Sequence, residues 1–118
     1  MRPLPALLIA FNVAAGQAWA QDGSNTDDVN KGRELAIRIC SNCHVAARDQ
    51  PYKPILQPPA PSFESLAQRA NLTAESIEAF LSTTHKGLDR PKGMPNPDLL
   101  DYQRKQAAAY LMSLRKKQ

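Results

Sequence analysis

The sequence predicts an all-helical fold, one small domain of about four helices joined by proline-rich loops, and three observations carry that prediction. Apolar residues recur at three- and four-residue steps in several separate stretches. No stretch alternates apolar and polar residues as a half-buried strand does. Prolines gather in two segments that divide the helical patterns from one another. A length of 118 residues fits a single domain.

Residues 1–20 are set apart from the fold. Arg2 gives a positive start, and Leu4 to Ala15 is apolar apart from Pro5 and Asn12. Ala18-Trp19-Ala20 then has the small-x-small pattern of an export cleavage site, so a signal peptide cut after Ala20 is expected. The apolar run is shorter than the roughly 20 residues that a membrane span needs, so no stable membrane anchor is expected. The expected location of the mature chain is the periplasm. Residues 21–27 are polar and expected to be a flexible N-terminus, leaving 28–118 as the folded domain.

From Asp28 to about Cys43, the residues Val29, Gly32, Leu35, Ala36, Ile39, Cys40 and Cys43 fall on one helical face, with Asp27 or Asp28 as cap. Five of the ten prolines (Pro51, Pro54, Pro58, Pro59 and Pro61) follow within eleven residues. Each removes an amide donor and pushes its predecessor toward extended geometry, so this segment is a loop that wraps something or is disordered. Ser62 caps a short helix to about Ala70, and Asn71-Leu72 forms a turn. Thr73 caps a helix to about Thr84 whose inner face is Ile77, Phe80, Leu81 and Thr84. Residues 85–97 form a second loop with Pro91, Pro95 and Pro97. The last helix starts near Asp98 or Asp101 and runs to about Lys116, with Ala107, Tyr110, Leu111 and Leu114 inward and basic residues suited to a helix C-terminus.

Composition narrows the function. The net charge of +4 is mild, and Lys and Arg are spread along the chain without the aromatic interleaving of a nucleic-acid surface. Such a charge favours encounter with acidic partners. Beyond Trp19 the large apolar groups are few, chiefly Phe63, Phe80 and three tyrosines. A domain this small with so thin a core needs a staple, such as a metal, a disulfide or a buried prosthetic group.

The staple is legible in Cys40-Ser41-Asn42-Cys43-His44, the pattern of a c-type haem attachment site. Two thiols three residues apart on a helical turn each reach one porphyrin vinyl group, and His44 then meets the iron from the proximal face. Three other readings are weaker. A thioredoxin-type dithiol belongs beside a βαβ unit. A structural zinc ion needs four ligands, and adjacent Cys43 and His44 are poorly placed to share one tetrahedral ion. A disulfide across so short a gap is strained and weakly stabilising. For the opposite iron ligand the candidates are Met94, Met112 and His85. Met94, in Gly93-Met94-Pro95, is favoured because a loop can bring its thioether to the iron. Met112 reads as helix packing, and His85 ends a helix whose carbonyls it could cap.

With these residues placed, the chain resembles the class I cytochromes c from about residue 28 to 117. The resemblance implies a cytochrome c fold wrapped around one covalently bound haem c. It implies that Gly32, eight residues before Cys40, lets the first and last helices cross closely, and that Tyr110 is the aromatic of the terminal helix. It implies that the carbonyl of Pro61 holds the Nδ1 proton of His44, a bond that orients the ring. Ala36 departs from the family, which often has an aromatic four residues before the first cysteine, so a less filled crossing is expected. The segments Ala60-Pro61-Ser62-Phe63, Thr83-Thr84-His85 and Met94-Pro95-Asn96-Pro97 are also similar to small proteobacterial cytochromes. Some of those are haem subunits of periplasmic dehydrogenases, including the sulfite-oxidising type.

The expected function is single-electron transfer between redox partner proteins, with no catalytic residue in this chain. Lys86, Arg90 and Lys92 would flank Met94 as a basic rim for an acidic partner. A haem-bearing subunit of a dehydrogenase and an enzyme or gas sensor with an open iron site are the alternatives. The first is separated by co-elution with a catalytic chain, the second by sulfur ligation of the iron.

Overall fold

The computed structural model describes residues 22–82 and 93–116, with side chains from residue 25 onward. The expected signal peptide, His85, and the basic residues Lys86, Arg90 and Lys92 lie outside the described residues. Among those described, four α-helices occur: α1 (Asp22–Ile39), α2 (Phe63–Ala67), α3 (Ala74–Ser82) and α4 (Asp101–Ser113). A 3₁₀ turn at Cys40–Asn42 follows α1 directly. Strands are absent from the described residues, where one isolated bridge pairs His44 with Ala60. The architecture is all-α.

α1 begins at Asp22 and not near Asp28, so residues 22–27, expected to belong to a flexible N-terminus, are helical. Acidic side chains early in a helix suit the positive end of its dipole. Asp27 adds an i,i+4 ion pair with Lys31 at 2.7 Å.

α1 and α4 cross at Gly32. A Cβ at that position would lie 1.9 Å from the carbonyl oxygen of Gln106 and 2.8 Å from Cβ of Tyr110, so the two backbones meet where only hydrogen fits. Ala36, one turn further along, is 0% exposed, and Leu35, Ala107, Ala108, Tyr110 and Leu111 are buried around it. The crossing is therefore not underfilled for want of an aromatic at Ala36. The helices approach closely enough for a methyl group to be covered on all sides.

α2 is capped as expected, with Ser62 Oγ accepting the amide of Ser65 at 3.1 Å. It stops at Ala67 instead of Ala70, and the amide of Arg69 turns back to Leu66 O at 3.1 Å. The carbonyls left at this end are taken from a distance. Arg115, just beyond α4, donates to Ala67 O, Arg69 O and Leu72 O at 2.9, 2.8 and 2.9 Å. The basic end of the chain thus caps another helix.

At α3, Thr73 Oγ1 accepts from the Ser76 amide (3.1 Å) while Ser76 Oγ accepts from the Thr73 amide (2.9 Å), a reciprocal cap. Ile77 and Leu81 face the core, but Phe80 is 52% exposed. It sits at the margin of the narrow stripe that Ile77 and Leu81 define. α4 starts after Leu100, whose amide is held by Gln103 Oε1 at 3.0 Å, and Leu99 just before it is buried. Of the expected inner stripe, Ala107, Tyr110 and Leu111 are buried and Leu114 is partly buried against them. No helix among the described residues is long and apolar enough to cross a membrane.

Gly32→Ala tests the crossing. Alanine gains up to about 1 kcal/mol of intrinsic helix preference. The clash is with backbone, which cannot rotate away, and overpacking typically costs about 1–3 kcal/mol or more. The expected outcome is a net loss of about 2 kcal/mol, read from denaturant unfolding of the haem-loaded protein.

Candidate functional site

The attachment motif occupies the tightening of α1 into the 3₁₀ turn, where four backbone carbonyls find donors. Ser41 Oγ donates to Ile37 O, and the amides of Cys43 and His44 donate to Cys40 O at 3.1 and 2.9 Å. Asn42 O accepts from the amides of Ile55 and Leu56 at 2.9 and 3.2 Å, and Cys43 O from Ala60 at 2.8 Å. The proline-rich segment is thus an ordered loop bonded to the motif's own backbone.

That loop returns to His44. The Phe63 amide donates to Val45 O at 3.0 Å, and His44 Nδ1 lies 2.7 Å from Pro61 O. A carbonyl only accepts, so Nδ1 carries the proton and Nε2 keeps its lone pair for a metal. The ring is 8% exposed, held edge-on by Phe63 with centroids 5.5 Å apart. Phe63 in turn packs on Tyr110 at 6.3 Å, and the Tyr110 hydroxyl donates to Ala46 O at 2.9 Å. The imidazole is fixed from the loop, from α2 and, through Tyr110, from α4.

Cys40 and Cys43 are both free and partly buried. Burial pushes the Cys40 thiol up to about 11, and repulsion from the Cys43 sulfur adds to this. Neither sulfur is engaged in a disulfide, so both are available for thioether bonds. Among the described residues no three His, Cys, Asp or Glu side chains gather as a metal-binding group.

The structure therefore joins Cys40, Cys43, His44 and Pro61 into one cluster. Met94 is half-buried against the hydrophobic core, and so is Met112 on α4. Two contributors escaped the sequence reading. Phe63 counted only as a large apolar residue, and Tyr110 only as a helix aromatic. The position of Phe63 two residues after Pro61 was the available signal, whereas nothing local announces that the Tyr110 hydroxyl reaches Ala46.

The chain is similar to cytochrome c-552 of Bradyrhizobium diazoefficiens, with 36% identity over 109 residues covering 92% of this chain and 90% of that protein. This chain belongs to the class I c-type cytochromes. Neither a family model nor a solved structure matches it. The cofactor of this cytochrome is covalently bound haem c, and its activity is haem-based electron transfer with redox partners. The residues present fit that group: two free cysteines at the attachment spacing, and an imidazole whose Nε2 keeps its lone pair.

Tyr110→Phe deletes one buried hydrogen bond without changing the packing of the ring. It leaves Ala46 O short of a donor, so a loss of about 1–2 kcal/mol is expected in unfolding experiments on this cytochrome.

Proposed function

We propose that this cytochrome is a periplasmic one-electron carrier in which Cys40 and Cys43 would anchor the haem and His44 and Met94 would ligate its iron. The observation that carries the reading is the His44 hydrogen bond to Pro61 O, because it selects the tautomer whose Nε2 is free to ligate. When bound, the haem supplies an Fe(III)/Fe(II) couple.

The chain's residues keep that couple at one potential. Pro61 O draws on the Nδ1 proton and makes His44 a stronger donor. Phe63 and Tyr110 stop the ring from turning as the charge at the metal changes. A Met94 thioether raises the potential relative to a second imidazole and fills the position that a substrate or gas would need. The chain is then a carrier and not an enzyme. The export pattern ending at Ala18-Trp19-Ala20 supports the periplasmic location, where redox partner proteins deliver and accept the electron.

Met94→Ala in the haem-loaded protein tests the ligand set. The expected outcome is loss of the sulfur-to-iron charge-transfer absorption and a fall in reduction potential, within the roughly 0.8 V that axial ligation spans. Unchanged oxidised and reduced spectra would refute the Met94 assignment.

A further inference from the structure

The five residues Met94-Pro95-Asn96-Pro97-Asp98 combine several constraints on a short backbone. Pro95 and Pro97 each fix φ. The side-chain oxygen Oδ1 of Asn96 accepts the amide of Asp98 at 3.0 Å, closing a turn around Pro97. Asp98 then adopts φ 54°, the positive-φ non-glycine residue of the described chain. Such backbone persists only where its surroundings over-determine it.

The surroundings are the start of α4. Leu99 is buried in the core directly after Asp98. Its carbonyl accepts a hydrogen bond from Arg104 Nη1 at 2.6 Å, and Arg104 Nη2 pairs with Asp101. The Arg104 side chain is only 21% exposed, so it bonds the Leu99 carbonyl from a largely covered position. Gln103 holds the next amide, that of Leu100, at 3.0 Å. From the first turn of α4 back to Met94, every residue is fixed by a ring, a side-chain hydrogen bond or burial. At the far end, Met94 rests half-buried against the core.

We propose that the Met94–Asp98 segment is a rigid strut, closed by Asn96 and anchored by Arg104, that positions the Met94 thioether from its C-terminal side. Asn96 and Arg104 are positioning residues: they act on the metal site through the backbone and touch no reacting atom. The inference rests on Met94 being the iron ligand. A strut holds the sulfur in place against competing ligands, because a thioether that swings away must first break the Asn96 turn or pull Leu99 from Arg104. Loosening either one exposes the iron more often to exogenous ligand without changing the fold.

The test is a titration of the oxidised haem-loaded protein with imidazole, followed in the visible spectrum. Asn96→Ala removes the acceptor of the Asp98 amide and is expected to tighten imidazole binding about five- to tenfold, the effect of one lost hydrogen bond. Asn96→Asp keeps an acceptor at the same place and is expected to stay within about twofold of the parent. Arg104→Gln is expected to shift binding in the same direction as Asn96→Ala, with the far-ultraviolet helical signal retained. Met94→Ala separates the two claims. If it leaves imidazole affinity unchanged, Met94 is not the ligand and the strut falls with it. If it tightens binding strongly while Asn96→Ala and Arg104→Gln match the parent, Met94 is the ligand and the strut is wrong.

Discussion

Gly32 lets α1 and α4 meet backbone to backbone, and Tyr110 occupies the resulting crossing. Much of the site follows from that approach. With the helices this close, Tyr110 Cβ lies against Gly32, its ring packs on Phe63, and its hydroxyl reaches Ala46 O on the segment that follows His44. Phe63 then meets the His44 ring, and Pro61 two residues earlier brings its carbonyl to Nδ1. A larger residue at 32 would spread the helices and withdraw Tyr110 from this chain of contacts. The helix crossing and the His44 imidazole are parts of one packing arrangement.

Two arginine–carboxylate pairs brace the same segment from outside. Arg33 bonds both oxygens of Asp49 at 2.7 and 2.6 Å, and Arg48 Nε bonds Glu64 at 2.9 Å. The arginines hold both carboxyls below their ordinary values, chiefly by hydrogen bonding. Their contribution to stability is present above the unfolded carboxylate range and is lost as pH falls through the depressed values. These pairs are solvent-exposed, so each is worth little beside the buried Tyr110 hydrogen bond. They steer the 45–49 loop more than they hold it.

The electronic character of the site comes from which atoms are left without protein partners. The carbonyls of Cys40, Asn42 and Cys43 are satisfied by the turn and by the proline-rich loop. His44 spends Nδ1 on Pro61 and keeps Nε2. Cys40 is held as a thiol by its burial. A site organised this way suits an apolar macrocycle held through carbon–sulfur bonds, with one imidazole nitrogen left for its metal. An electron carrier needs little else from its chain than a fixed ligand geometry.

The attachment motif, the helical class and the caps at Ser62 and Thr73 were legible in the sequence, because each depends on spacing within a turn or two or on a residue type with a single use. The close approach at Gly32 and the bond between His44 and Pro61 were legible only through family resemblance, the bond because its partners lie seventeen positions apart across a loop. Other features were decided by the tertiary structure. Ala36 is fully covered because two helices approach it, and no local pattern measures that distance. Arg115 caps α2 instead of its own helix because the end of α4 lies beside carbonyls contributed some forty residues earlier. Asp98 takes positive φ because Asn96, Arg104 and a buried Leu99 fix the chain on both sides. Local chemistry is written in neighbouring residues, whereas which carbonyl meets which donor depends on where the core brings distant segments together.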